Sequence, residues 1–248
     1  MKNTSFMNFN HMGIKIGVAI LSCAMAVGGF TGCKKNTSTE LVVTINDYEV
    51  YMDEAIWYLY LMEKDLKDDA DLYYQMNEES YWTLDMGTGN TVAEAIKEEI
   101  INNIVYYEIL SNQAEKTGDF TVEVDDGGYK QEAEAMMKEI NEDLQKEGLT
   151  QEGYEKVLAK IGQTDLYYDA VIQLYEVDQE AIKEENPYSE EEYSNMAEYN
   201  DFIESLVISE KENMFYEEYL VLLEQYDVEI NDKVWDKIVV GELAELIE

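Results

Sequence analysis

Apolar and polar positions alternate in several distinct rhythms along the chain, and each rhythm predicts an element. Leu41-Val42-Val43-Thr44-Ile45 and Tyr48-Glu49-Val50-Tyr51 are β-rich runs on either side of Asn46-Asp47, and a two-residue turn-forming pair between such runs predicts a β-hairpin. Asp53 and Glu54 follow and place negative charge where a helix begins, against the positive end of its dipole. That helix is expected to reach about Lys67. At about 100° per residue, Ala55, Leu59, Met62 and Leu66 form one stripe, while Trp57 and Leu61 fall almost opposite. A helix apolar on two sides is either covered twice by neighbouring helices or offers Trp57 and Leu61 as a contact surface for a ligand or client.

Residues 68–90 are acidic and aromatic and end in Gly87-Thr88-Gly89-Asn90. Thr91-Val92-Ala93-Glu94 reads as a capping box, opening a helix with Ile96, Ile100, Ile104, Tyr107, Leu110 and Ala114 on one face and Gly118 as its terminator. Further helices are expected at about 128–146, 150–161 and 164–184, with joints at Gly148, Gly162 and Asn186-Pro187. Ser189-Glu190-Glu191-Glu192 is a second capping box. Helical spacing then persists to Tyr226, with Phe202, Leu206, Phe215, Tyr219 and Leu222 as anchors and a break expected near Ser209. Asp227-Val228-Glu229-Ile230 alternates as a short strand does, and Trp235 follows. The expected fold class is mainly α, built of long helices, with a small β-sheet formed by the N-terminal hairpin and the C-terminal strand.

The first 33 residues have a different character. Lys2 and Lys15 precede an apolar run from Ile16 to Phe30, and Gly32-Cys33 closes it. This is the arrangement of a bacterial lipoprotein signal, and a run of about 15 residues is short of the roughly 20 a membrane-spanning helix needs. The expectation is a signal peptide over 1–32, lipidation of Cys33, a polar tether over 33–40 and one folded domain over 41–248. The protein would then sit on the extracytoplasmic face of the cell membrane, held by its lipid. Cleavage also removes the one histidine, His11, and the second cysteine, Cys23. All 17 basic residues are lysine. The remaining chain therefore has no material for a Ser-His-Asp triad, a Cys-His pair, a histidine-ligated metal site or a bidentate arginine clamp. With 17 basic against 55 acidic residues, a net charge of −38, the surface repels nucleic acid and anionic bilayers. The acid excess reads first as a solvated surface that keeps the chain soluble, with attraction of basic or unfolded cationic clients as the alternative.

Asp125-Asp126-Gly127-Gly128 lacks the alternate carboxylates and closing glutamate of a calcium loop. The acidic runs Asp68-Asp69 and Glu190-Glu191-Glu192 read as solvated helix faces rather than paired catalytic carboxylates. Neither a cofactor nor a catalytic residue is expected.

The run from Leu41 to Val50 followed by Asp53-Glu54-Ala55 resembles the opening strand, turn and first helix of the chaperone domain shared by SurA, the PrsA-type foldase lipoproteins and the trigger factor C-terminal region. There the turn usually carries Asn-Gly; Asp47 stands in place of the glycine, a substitution tolerable because Asp visits positive φ. Residues Val92–Gly118 are similar to the family's second long helix. Glu212–Tyr226, Val228-Glu229-Ile230-Asn231 and Trp235 resemble the segment that returns to complete the N-terminal domain. In many relatives a parvulin-type prolyl isomerase domain sits between the halves; here there is no room for one. The resemblance implies a chaperone-type module without the isomerase, binding unfolded or newly exported polypeptides in a helical cradle. The alternative from the residues alone is a surface binding module or receptor for one folded partner or ligand.

Overall fold

The structure, a computed structural model, describes residues 39–77, 79–87, 89–118, 128–189 and 193–247. Strands β1 (Leu41–Ile45) and β2 (Tyr48–Tyr51) form the expected antiparallel hairpin. Its tight turn needs a left-handed residue, and that residue is Asn46, at φ 53°; Asp47, expected to take this role, does not. Asn46 is placed there by a second function: its N–H donates to the Asp227 carbonyl (2.8 Å) and its Oδ1 accepts the Asp227 N–H (2.7 Å). The contact delivers β3 (Val228–Ile230) to the free edge of β1, pairing Ile45 with Val228 and Val43 with Ile230. Asn231 closes the far end, donating its N–H to the Val42 carbonyl (2.8 Å) and its side-chain amide to that of Leu41 (2.9 Å). The sheet order is β2-β1-β3, which gives the hairpin the third strand an isolated one lacks.

The helices are α1 (Met52–Asn77), α2 (Val92–Thr117), α3 (Gly128–Met136), α4 (Glu142–Lys146), α5 (Gln151–Ile172), α6 (Gln179–Glu185), α7 (Met196–Leu223) and α8 (Asp232–Trp235), with 3-10 turns at Tyr81–Thr83 and Ala244–Leu246. The capping box of α2 is formed: the Thr91 Oγ accepts the Glu94 N–H while Glu94 takes back the Thr91 N–H at 2.7 Å. Gly118 ends α2 in the left-handed region, at φ 73°. Between these caps α2 is buried on every side through Ile100, Ile101, Ile104, Val105, Ile109 and Leu110, and α1, α5 and β1 pack against it.

Several boundaries differ from those the sequence predicts. Helix α1 runs ten residues beyond Lys67, to Asn77. The helix expected over 128–146 is two, because Asn141 leaves helical geometry to cap α4, its Oδ1 accepting the Asp143 and Leu144 N–H groups. Gly162 is not a joint. Helix α5 passes straight through it, and the missing side chain makes room for Tyr129, whose hydroxyl would overlap a Cβ there. The chain breaks instead after Ile172, and Asp178 caps α6. Likewise α7 continues unbroken through Ser209; its start is capped by Asn195. Positions 190–192 of the expected capping box and the Asp125-Asp126 loop fall outside the described residues, as do Cys33, His11 and Cys23.

One ionic contact crosses the interior. Lys160 of α5 reaches Glu54 of α1 at 2.6 Å and also pairs with Glu108 of α2, whose other oxygen accepts the Asn112 amide at 3.1 Å. Burial alone would lower the lysine's pKa, but the two carboxylates outweigh it and hold the ammonium above its usual range. Removing one member of such a group strands the others unpaired in the interior, a loss of about 3–5 kcal/mol. Lys160→Ala is therefore expected to reduce stability by about that amount, measured by denaturant unfolding. Replacing Glu54, Glu108 and Lys160 together with apolar residues of similar volume should recover most of it.

Candidate functional site

The two residues proposed from the sequence as a contact surface do not form one. Trp57 is fully buried: its indole N–H donates to the Thr150 carbonyl (2.8 Å), and its ring lies on Tyr154 (4.4 Å between centroids) with Tyr60 edge-on. Gly153, where a Cβ would strike the Asp53 carbonyl, lets α5 come close enough to cover it. Leu61 is half-buried against the same core. The second apolar side of α1 is thus the seat of α5, not an open face.

An unfilled face lies elsewhere, on α7. Of its 28 residues only Tyr199, Ile203, Phe215 and Tyr219 are buried. Asn200, Glu204, Val207, Lys211, Phe215, Glu218 and Leu222 recur every three or four residues and so share one side of the helix. Two depressions open along that side. The first, about 530 Å³, lies among α2, α5 and α7, with Leu110, Tyr167, Phe215, Tyr219 and Leu222 in its lining and Glu217 and Glu218 among the same residues. The second, about 670 Å³, is bounded by Tyr175 and Val177 ahead of α6, by Gln179 at its start and by Asn200, Glu204, Val207 and Lys211 of α7. Tyr175 stands at the divide, lining the second depression while its hydroxyl donates to Glu218 at 2.8 Å. Lys211 donates to the Ile172 carbonyl at 3.3 Å and so caps the end of α5.

Tyrosine dominates this region. Tyr106 meets Tyr219 edge to face at 5.1 Å, and Tyr168 meets Phe215 at 4.8 Å. Burial pushes the Tyr168 hydroxyl up to about 12, with Glu212 adding to it, and burial likewise raises Tyr219. These hydroxyls stay protonated and act as donors, so the surface offers apolar contact and hydrogen bonding rather than acid-base chemistry. Among the described residues, no group of three or more His, Cys, Asp or Glu is placed to hold a metal ion, and no helix is long and apolar enough to cross a membrane. Phe215, Tyr219 and Leu222 were legible in the sequence as anchors; the face they belong to was not, because Asn200, Glu204 and Lys211 interrupt its apolar periodicity.

A second polar feature joins the chain ends. Glu63 of α1 is fully buried and accepts N–H groups from Gly241 and Ala244, each at 2.7 Å. Gly241 holds φ 103°, and its α-carbon lies on the Trp82 indole where a side chain would clash. Burial raises the Glu63 carboxyl and the backbone donors pull it back, leaving it pushed up to about 7. The nearby Glu242 charge adds to the rise. Asp165 is also pushed up by burial, and then by Asp169, to about 6.

Comparison of the chain with protein-family models, with curated proteins and with solved structures gives no match.

The carboxyl shifts carry a sign. In the unfolded chain Glu63 titrates near 4.5, so between about pH 4.5 and 7 the folded state binds more protons and stability falls as pH rises. Below that window the favourable contribution is fully present; above it, it is lost. The native protein should be more stable at pH 5 than at pH 8 in chemical unfolding. Glu63→Gln should flatten that dependence by about 2–3 kcal/mol, since each pKa unit is worth about 1.4 kcal/mol.

Proposed function

We propose that this chain is a lipid-anchored extracytoplasmic protein that binds unfolded or newly exported polypeptides without catalysis, using the exposed side of α7 as its contact surface. The observation that carries the reading is α7 itself, a helix of 28 residues with four buried positions and two shallow depressions along one face. A long helix held mainly at its ends is stabilised by what it packs against, and this one leaves a mixed aromatic and polar side for a guest. The depressions are open and lined by polar as well as apolar side chains, so each contact is weak and the guest is released readily.

Two further features support the reading. The strand that returns to the N-terminal hairpin follows the arrangement expected from the resemblance to SurA, PrsA-type lipoproteins and trigger factor. The chain between the end of α6 at Glu185 and the start of α7 at Met196 is too short for a parvulin-type domain, which leaves binding rather than isomerisation as the activity. Secretion with a lipid on Cys33 places the surface where exported chains emerge. The competing reading, a receptor for one folded partner, would require a single saturating ligand in place of many weak ones.

Two measurements test the proposal. Protein recovered from its native membrane should begin at Cys33 and carry diacylglycerol on that residue by mass spectrometry; another N-terminus or an unmodified Cys33 removes the anchor. The full chain should suppress light scattering by an aggregating unfolded protein. Val207→Ser with Val221→Ser, at positions that line the two depressions without being fully buried, should lower this activity several-fold while moving stability by less than about 1 kcal/mol.

A further inference from the structure

The charge and the spacing of the two depressions on α7 narrow the kind of chain that fits them. We infer that the preferred occupant is an extended, lysine- or arginine-bearing segment with two apolar side chains about six residues apart, one for each depression. The inference rests on the client-binding reading above and specifies its chemistry.

The sign comes from the lining residues. The charged groups of the first depression are Glu217 and Glu218, and no cation lines it. In the second, Glu176 and Glu204 face one cation, Lys211, whose ammonium is engaged by the Ile172 carbonyl. The Glu218 carboxylate accepts one O–H, from Tyr175, and retains further lone pairs for an ammonium or guanidinium. A cationic guest therefore gains charge-assisted hydrogen bonds here, and the chain-wide excess of acid steers it in. An acidic guest is repelled by both.

The spacing comes from α7. The second depression takes its α7 residues from Asn200 to Lys211 and the first from Met214 to Leu222. Their centres are about 12 helical residues apart, or roughly 19 Å at 1.5 Å per residue. An extended chain covers that distance in about six residues at roughly 3.3 Å each. The apolar floors that would receive the two side chains are Phe215 with Leu222 and Val207 with Val177. A helical guest would need its anchors about 12 residues apart instead.

Fluorescence anisotropy with the full chain in mild non-ionic detergent tests both parts. The probes are labelled unstructured peptides of about 16 residues, long enough to span roughly 19 Å in extended form: one with two phenylalanines six apart among lysines, one with glutamate for lysine, one with the phenylalanines adjacent, and one with serine for phenylalanine. The first should bind at least about tenfold tighter than each of the others, a difference of about 1.4 kcal/mol, and should weaken as salt rises. Glu217→Gln with Glu218→Gln should remove most of the preference for lysine. Asp68→Asn with Asp69→Asn, on exposed positions of α1, makes the same change in net charge and should leave the preference intact. Equal binding of the lysine and glutamate peptides, equal loss in both variants, or indifference to anchor spacing overturns the inference. Those results alongside intact suppression of aggregation leave the client-binding reading standing; no binding by any peptide and no suppression removes both.

Discussion

Strand β1 has two neighbours, and only one of them is local. β2 is reached through a two-residue turn, whereas β3 arrives after nearly the whole folded chain has been laid down, so the β1–β3 register is the contact on which the placement of everything between them depends. It is secured at both ends by asparagine: Asn46 holds Asp227, and Asn231 holds Leu41 and Val42. Because the side-chain period of a strand is two, a slip by one residue would turn the buried Val43 and Ile45 to the wrong face. The link from Leu223 to Val228 is short, so fixing β3 also fixes the C-terminal end of α7 beside α2, which is where Phe215 and Tyr219 are buried and where the first depression forms. The other end of α7 has less to hold it, packing mainly on the short α6.

The interior is unusually polar for a helical core, and the polar groups occupy its joints. Lys160 joins α1, α2 and α5 through Glu54 and Glu108. Glu63 joins α1 to the last turn, and the Trp57 indole joins α1 to the start of α5. Each of these groups requires its partners to be in place at once, since a buried charge or donor left alone is costly. Such contacts add little net stability over well-packed apolar side chains, but they penalise any arrangement in which the helices slide past one another. The tyrosines act in the same way more gently, through edge-to-face contacts such as Tyr106 with Tyr219 and Tyr168 with Phe215.

Local chemistry made much of this fold legible. The hairpin, the Thr91 capping box, the Gly118 terminator and the returning strand all follow from residues that act within a few positions of themselves. Several of the misreadings share one cause, which is that the deciding partner is remote. Gly162 reads as a joint until Tyr129 is seen lying against it, and Asn141 reads as an ordinary helical residue until it caps α4 and donates to the Leu246 carbonyl at 2.7 Å. Trp57 reads as the exposed side of a two-faced helix because the helix that covers it begins about a hundred residues later, at Gln151. The α7 face was hidden for the opposite reason. Its polar residues, Asn200, Glu204, Lys211 and Glu218, break the apolar rhythm that marks a core.

A strongly acidic protein gains from keeping such a surface shallow. With net charge at −38, long-range attraction would draw a cationic chain to any part of the molecule, and charge alone would discriminate little among sites. Selectivity has to come from the few places where apolar floor and carboxylate coincide, because there the guest's apolar side chain is removed from water while its charge stays in it, near an acceptor. The α7 face brings the two together in both depressions, Phe215 and Leu222 with Glu218 in one, Val207 with Glu204 in the other. A deeper pocket would bind more tightly but would demand a fixed guest shape, and slow release would follow because affinity differences are expressed mainly in the dissociation rate. On the proposed reading, shallow depressions along α7 give up affinity and accept any extended segment that brings a cation and two suitably spaced apolar side chains.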